Sequence, residues 1–191
     1  MKIRVKKMIL LKKHLEKFHR DEHRCFVVFY ALLFLITAIG GVATYGAGYR
    51  YNRTSSVARG VWKVHDKTKL QKNDYVFVSP KGNPGYELAL QRKYMFEHAV
   101  MLKKIIALEG DHVSYDVDEK AVTVNGEYIF MTEILSQDTE GRPLQGATFP
   151  VFLKKGEIWL SSEFIRGYDS RYFGPVSADI LTKATPVWIY R

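Results

Sequence analysis

Hydrophobic and polar positions follow three regimes along the chain. From Cys25 to Tyr49 no residue is charged, and Phe, Leu, Ile and Val crowd the first part of this run. A helix of that length rises about 37 Å at ~1.5 Å per residue, enough to cross a ~30 Å hydrocarbon core. Before the run, Met8, Leu11, Leu15 and Phe18 recur at helical spacing in a basic segment. That pattern predicts an amphipathic helix on an anionic membrane surface.

After the run, apolar residues come in short clusters: Val61–Val64, Tyr75–Val78, Lys103–Ala107, Ala121–Val124, Glu157–Leu160 and Val187–Tyr190. Turn signals separate them, among them Asn83-Pro84-Gly85, Glu109-Gly110-Asp111, Asn125-Gly126 and Lys155-Gly156, so they read as strands. Val122–Tyr128, centred on Asn125-Gly126, predicts a hairpin with a two-residue turn. Glu87–Val100 reads as a helix between two strands, and 132–150 as a loop or lid. The expected class is mainly β: a single N-terminal transmembrane helix followed by a compact, mostly antiparallel β-domain. The expected division is a basic leader at 1–24, a transmembrane helix at 25–49 and a β-rich domain at 50–191.

Charge gives the span a direction. The chain has 191 residues and a formal net charge of +9, of which residues 1–24 supply +6. A basic leader next to a span stays cytoplasmic by the positive-inside rule, which puts residues 50–191 outside. Arg50, Arg53 and Arg59 weaken this bias without reversing it. The remainder is near charge balance and carries no nucleic-acid-binding motif, so no nucleic-acid partner is expected. A cleaved signal peptide is the alternative, with Ala43 and Ala47 offering a cut site. Its apolar region is normally only ~7–15 residues, however, so an uncleaved anchor is expected. The single cysteine, Cys25, excludes an intrachain disulfide, and no His/Cys cluster has metal-ligand spacing; neither metal nor cofactor is expected.

Three segments carry candidate chemistry. Asn52-Arg53-Thr54-Ser55-Ser56-Val57-Ala58-Arg59-Gly60 follows the span closely. From Arg50 to Ser56 the chain reaches only ~25 Å even when fully extended, so a nucleophile here works near the bilayer. In Met101-Leu102-Lys103-Lys104-Ile105-Ile106-Ala107, a strand puts Lys103 on one face with Met101 and Ile105, and Lys104 on the other with Leu102 and Ile106. Desolvation of a lysine on an apolar face favours its neutral form, which makes it a candidate base; periodicity alone does not choose between the two. Asp169-Ser170-Arg171-Tyr172-Phe173-Gly174 pairs an acid and a base two apart beside aromatics, which can order a loop through charged hydrogen bonds.

Together and in this order, the three segments resemble the signal peptidase I family over about residues 25–191. The spacing Asn52-x-Thr54-x-Ser56-x-x-x-Gly60 is similar to the conjugative-transfer (TraF-type) branch, which usually has Pro where Ala58 stands. The resemblance implies a β-domain of the signal peptidase type with Ser56 as nucleophile and Lys103 as general base. It further implies that Thr54 and the Ser56 amide form the oxyanion hole, and that Asp169, Arg171, Ser170 and Asn52 brace the site. Two positions depart from it. The family serine that bonds the lysine falls on Gly167, and Ser162 stands where the housekeeping enzymes have Asp, which leaves lysine orientation to Ser170 or water.

The implied substrate is a preprotein or pre-pilin, docked as an added strand with small residues before the cut, at an inner membrane with anionic lipids. The acyl group passes to water or to an amine, the latter giving a cyclic pilin. A self-cleaving Ser/Lys repressor is a rival that the span argues against. A catalytically silent, membrane-anchored assembly protein is the rival that Gly167 supports.

Overall fold

The computed structural model describes residues 2–66, 69–79, 81–97 and 99–190, with residues 2–22 described as backbone alone. The chain divides between Ala47 and Gly48 into two units. The first is one helix, α1 (Lys2–Gly46). Its His23–Gly46 part spans 24 residues and is long and apolar enough to cross a membrane. The hydroxyls of Thr37 and Thr44 donate to carbonyls three and four residues back, so neither is left unpaired in this apolar segment. The side chains expected to form the amphipathic face of the leader lie outside the described residues. The helix stops at Gly46, three residues before the charge-free run ends at Tyr49. Gly48 takes φ 84°, a left-handed conformation that ends helices, and Tyr49 enters a strand.

Among the described residues the second unit contains eleven strands: β1 (Tyr49–Asn52), β2 (Arg59–His65), β3 (Tyr75–Val78), β4 (Met101–Ala107), β5 (His112–Asp116), β6 (Ala121–Val124), β7 (Glu127–Tyr128), β8 (Val151–Phe152), β9 (Glu157–Ser161), β10 (Val176–Ser177) and β11 (Leu181–Tyr190). Two short α-helices, α2 (Pro84–Gln91) and α3 (Ser170–Phe173), and a 3-10 turn at Ala178–Ile180 join them. One sheet runs β1-β2-β11-β3-β4-β9-β10 and the other β7-β6-β5-β8. Every ladder between named strands is antiparallel. The fold is therefore mainly β, as the run lengths predict.

The Asn125-Gly126 hairpin forms with Val124 opposite Glu127, and both turn residues take positive φ, 53° and 85°. Those angles match the right-handed twist of the flanking strands. Helix α2 is shorter than the expected Glu87–Val100. Asn83 caps it by accepting from the Gly85 amide at 2.9 Å, Pro84 opens it, and Lys93 at φ 58° turns the chain out of it. Strand β11 is longer than expected, and its register shifts between Pro186 and Trp188, where proline has no N–H to give. Opposite it, Gly60 takes φ 137°, and a Cβ there would sit 2.1 Å from the Trp188 carbonyl oxygen. Only glycine lets β2 and β11 approach so closely.

Strand β4 is the spine of the domain. All of its residues except Lys104 are buried. Met101 and Ile105 join a core with Val76, Val78, Tyr86, Leu160 and Phe173. Ile106 and Ala107 pack with Val113, Val122 and Trp159 beneath the smaller sheet. Leu102 packs with Val57 and Trp62, which holds the Ser56 loop against this strand.

Candidate active site

The loop between β1 and β2 is organised by one buried side chain. The Nδ2 of Asn52 donates to the carbonyls of Thr54, Val57 and Ala58 at 3.0–3.1 Å. Its Oδ1 accepts from the Thr54 amide at 3.1 Å and from Thr54 Oγ1 at 2.9 Å. A short polar loop thus closes on itself without needing a sheet partner. A threonine hydroxyl has a single proton, and here it goes to Asn52. In the 3.0 Å contact between Thr54 Oγ1 and Ser56 Oγ, the serine is therefore the donor. Ser56 Oγ also lies 3.5 Å from the Leu102 carbonyl. Ser56 is half-buried, whereas Thr54 and Ser55 are exposed.

Of the two lysines, Lys103 is buried at 3% exposure, while Lys104 is only partly covered. The two flanking residues on its face, Met101 and Ile105, belong to the core. Burial pulls the Lys103 amine down from 10.5 to about 8; Asp169 opposes this and Arg171 adds to it. Nζ donates to Ser162 Oγ at 2.7 Å. Ser170, one of the groups expected to orient the lysine, is bonded elsewhere. Ser170 Oγ accepts from the Leu160 amide at 3.0 Å, within β9, and the hydroxyl at the lysine is that of Ser162. Among the described residues no hydrogen bond joins Ser56 Oγ to Lys103 Nζ.

Asp169 and Arg171 form a fully buried pair. The guanidinium meets the carboxylate in a two-point contact, Nε to Oδ1 at 2.8 Å and Nη2 to Oδ2 at 2.9 Å. Its remaining donors gather backbone from two loops, with Glu133 O at 2.7 Å, Ile165 O at 3.0 Å and Gly167 O at 2.7 Å. Asp169 caps α3 by accepting from the Arg171 amide, and accepts from the Ser162 amide at 2.8 Å. Five or more bonds to one buried cation offset a desolvation cost that a bare ion pair would not.

These elements border one open groove of about 1220 Å³, which Thr54, Ser56 and Lys103 all line. Its walls are largely apolar, with Tyr94, Leu135, Leu144, Ile165 and Tyr172 among them. Strand β9 pairs with β4 only from Lys104 onward, so on that side the edge of β4 at Met101 and Leu102 has no strand partner among the described residues. Asn52, Asp169, Ser170 and Arg171 do not themselves line the groove. The sequence reading missed two contacts, both from the segment after β9: the Ser162 hydroxyl on Lys103, and the Glu163 amide, which donates to the Ser56 carbonyl at 2.7 Å. The signal for the first was available, because Ser162 and Gly167 depart from the family pattern together.

Residues 22–189 match the family described as signal peptidase, peptidase S26. The conjugal transfer protein TraF of Agrobacterium fabrum is 33% identical over 154 residues, covering 75% of this chain and 84% of that protein. The plasmid transfer protein TraF of Escherichia coli is 30% identical over 172 residues, covering 84% and 92%. A crystal structure of a signal peptidase I from Enterococcus faecalis aligns with a TM-score of 0.39 at 17% identity, over 62% of this chain and 98% of that one. With the family's match running through nearly the whole β-domain, the chain belongs to the signal peptidase S26 family and is similar to its conjugal-transfer TraF members.

Proposed function

We propose that the chain is a membrane-anchored serine endopeptidase that works through a dyad of Ser56 and Lys103. The observation that carries this reading is the setting of Lys103: a lysine on a dry strand, its amine drawn down to about 8, lining the same groove as Ser56. At neutral to mildly alkaline pH a useful fraction of that amine is unprotonated and able to act as a base. Lys103 Nζ takes the Ser56 proton as Oγ attacks the scissile carbonyl. The C–N bond then breaks, the ammonium returns its proton to the leaving amine, and water or a second amine resolves the acyl-enzyme.

Two adjustments precede attack. Ser56 Oγ turns from Thr54 and the Leu102 carbonyl toward Nζ, and Thr54 turns its proton from Asn52 toward the oxyanion, joined by the Ser56 amide. Catalytic hydrogen bonds are often long in free enzymes and tighten when substrate binds. Each oxyanion donor contributes about 3 kcal/mol of transition-state stabilisation. The unpaired edge of β4 at Met101 and Leu102 supports docking of an extended substrate as an added strand.

In this reading the leader is cytoplasmic, His23–Gly46 spans the inner membrane, and the β-domain acts on the periplasmic side. The substrate is a preprotein or a pre-pilin of a conjugation system, with small residues before the cut, and anionic lipids hold the leader. The similarity to conjugal transfer proteins supports the pilin side of that choice. A second reading, a silent assembly protein, draws on the Ser56 hydroxyl bonding to Thr54 rather than to Lys103. Incubating membranes that hold the chain with a pre-pilin and weighing the products separates hydrolysis from cyclisation. Unchanged processing by both Ser56→Ala and Lys103→Ala ends the enzymatic reading.

A further inference from the structure

We infer that Ser162 is the positioning residue for the Lys103 amine, and that it holds this role only because residue 167 is glycine. The inference rests on the Ser56/Lys103 reading and adds to it the group that aims the base. A lysine side chain has four rotatable bonds, and apolar walls exclude ammonium without fixing where it points. Ser162 supplies the fix. Its Oγ accepts from Nζ at 2.7 Å, and both side chains are buried, each at 3% exposure.

The register explains the contact. Ile105 lies opposite Leu160 and Lys104 opposite Ser161, so the next cross-strand position brings Ser162 opposite Lys103, just past the end of β9. Directly opposed residues on one face of an antiparallel pair are close enough for short side chains to meet. The backbone of Ser162 is itself anchored by Asp169 Oδ2 at 2.8 Å, and the next amide, that of Glu163, holds the Ser56 carbonyl. One dipeptide therefore touches the support of both proposed reactants. Besides its direct charge effect, Asp169 thus reaches the lysine through this dipeptide.

Gly167 is the second half of the device. A Cβ added there would lie 2.2 Å from both Cβ and Oγ of Ser162. Its φ is outside the positive range, so the requirement is for space rather than for a special backbone. A side chain at 167 and a serine at 162 cannot share this volume. The space beside the lysine has room for one of the two side chains, and in this chain the Ser162 hydroxyl fills it.

The chemistry fixes the sign of the effect. Ser162 Oγ accepts a hydrogen bond from Nζ in both states of the lysine, which leaves the neutral amine's lone pair free for Ser56. Hydrogen bonds from a charged donor are the stronger ones, so Ser162 favours the ammonium. Its removal lowers the affinity of Lys103 for its proton and loosens the aim of Nζ.

The test uses the full chain in detergent micelles and a fluorogenic peptide with an apolar stretch followed by alanine at the first and third positions before the cut. Ser162→Ala is expected to lower kcat about 10–100-fold with KM little changed, as loss of aim predicts. The acid limb of kcat is expected to move down by about half a unit to one unit. NMR of 13C-labelled lysine should register the same downward move in Lys103 without reference to turnover. The double variant Ser162→Gly with Gly167→Ser should regain part of the lost kcat over Ser162→Gly alone. Recovery is partial because Phe164 O lies 2.9 Å from the new Cβ and must give way. The proposal is overturned if Ser162→Ala stays within twofold of the parent, or if kcat falls while both the acid limb and the lysine resonance stay put. Persistent cleavage by Ser56→Ala or Lys103→Ala would instead sink the dyad, and the NMR titration would still report on the positioning bond.

Discussion

The loop that carries Ser56 and the strand that carries Lys103 line one groove but are held by opposite means. The loop is tied by neutral hydrogen bonds from one asparagine, over six residues, with Thr54 and Ser55 open to solvent. The lysine side is tied by a buried ion pair at 0% exposure whose bonds reach Ile165 and Gly167 in the adjoining loop and Glu133, 38 residues away from Arg171. A nucleophile has to turn toward its base and then carry an acyl group, so it sits where small rotations cost little. A base that must stay neutral has to stay dry, so it sits where nothing moves without breaking a charge network. Opposite kinds of damage should therefore follow from mutating the two sides.

The largest effects are at the two proposed reactants. Ser56→Ala and Lys103→Ala should each lower kcat about 1,000-fold or more, and the double variant should be little worse than either, since groups that act as a unit are not additive. The check is single-turnover cleavage of the alanine-bearing peptide; additive losses would mean that the two groups do not act together. For the intact enzyme, kcat should rise with pH through a limb near 8, where Lys103 gives up its proton.

Arg171→Ala should come next, through stability rather than chemistry. It strands the Asp169 carboxylate in a dry site, at a cost of about 3–5 kcal/mol. Urea titration would measure it, and a cost below 1 kcal/mol would show that the buried pair does not carry the rigid side. Asn52→Ala should cost less, about 1–3 kcal/mol, because it leaves loop carbonyls unsatisfied near solvent. Its kcat should fall about tenfold with the acid limb unmoved, since Lys103 lies on the other side of the groove.

The same contrast governs what the sequence made legible. The nucleophile loop is local, and Asn52, Thr54 and Ser56 could be picked out within five residues. Strand β4 was legible as a strand, yet alternation could not choose between Lys103 and Lys104. That choice depends on which face meets Val76, Leu160 and Phe173, and those contacts come from three other elements. Ser162 and Gly167 stood out together in the sequence, but the contact to the lysine did not, for a similar reason: the partner is 59 residues away and is set by the β4–β9 register. Short strands such as β8 and β10 were missed because two residues carry no period. Their extended state is set by neighbours rather than by their own side chains.

The smallest effect concerns the cost of keeping a lysine dry. Folding lowers the Lys103 amine from 10.5 to about 8, so its folded value lies below its unfolded one. Between those limits the unfolded chain holds a proton that the folded chain has released, and stability therefore rises with pH across that window. Below about pH 8 both states are protonated, and burial of the charge costs the folded chain roughly 3 kcal/mol. Lys103→Met removes the charge and keeps a flexible apolar stem among Met101 and Ile105. It also leaves the Ser162 hydroxyl without its partner, which returns about 1 kcal/mol. The variant should thus be more stable than the parent by about 1–2 kcal/mol at pH 7, with the gain fading above pH 8 and gone by about pH 10.5. Paired urea titrations at pH 7 and 10 measure the difference. A variant that is less stable at pH 7, or a gap that does not close with pH, would mean that Lys103 is solvated in solution. The strand side of the groove would then be no drier than the loop that faces it.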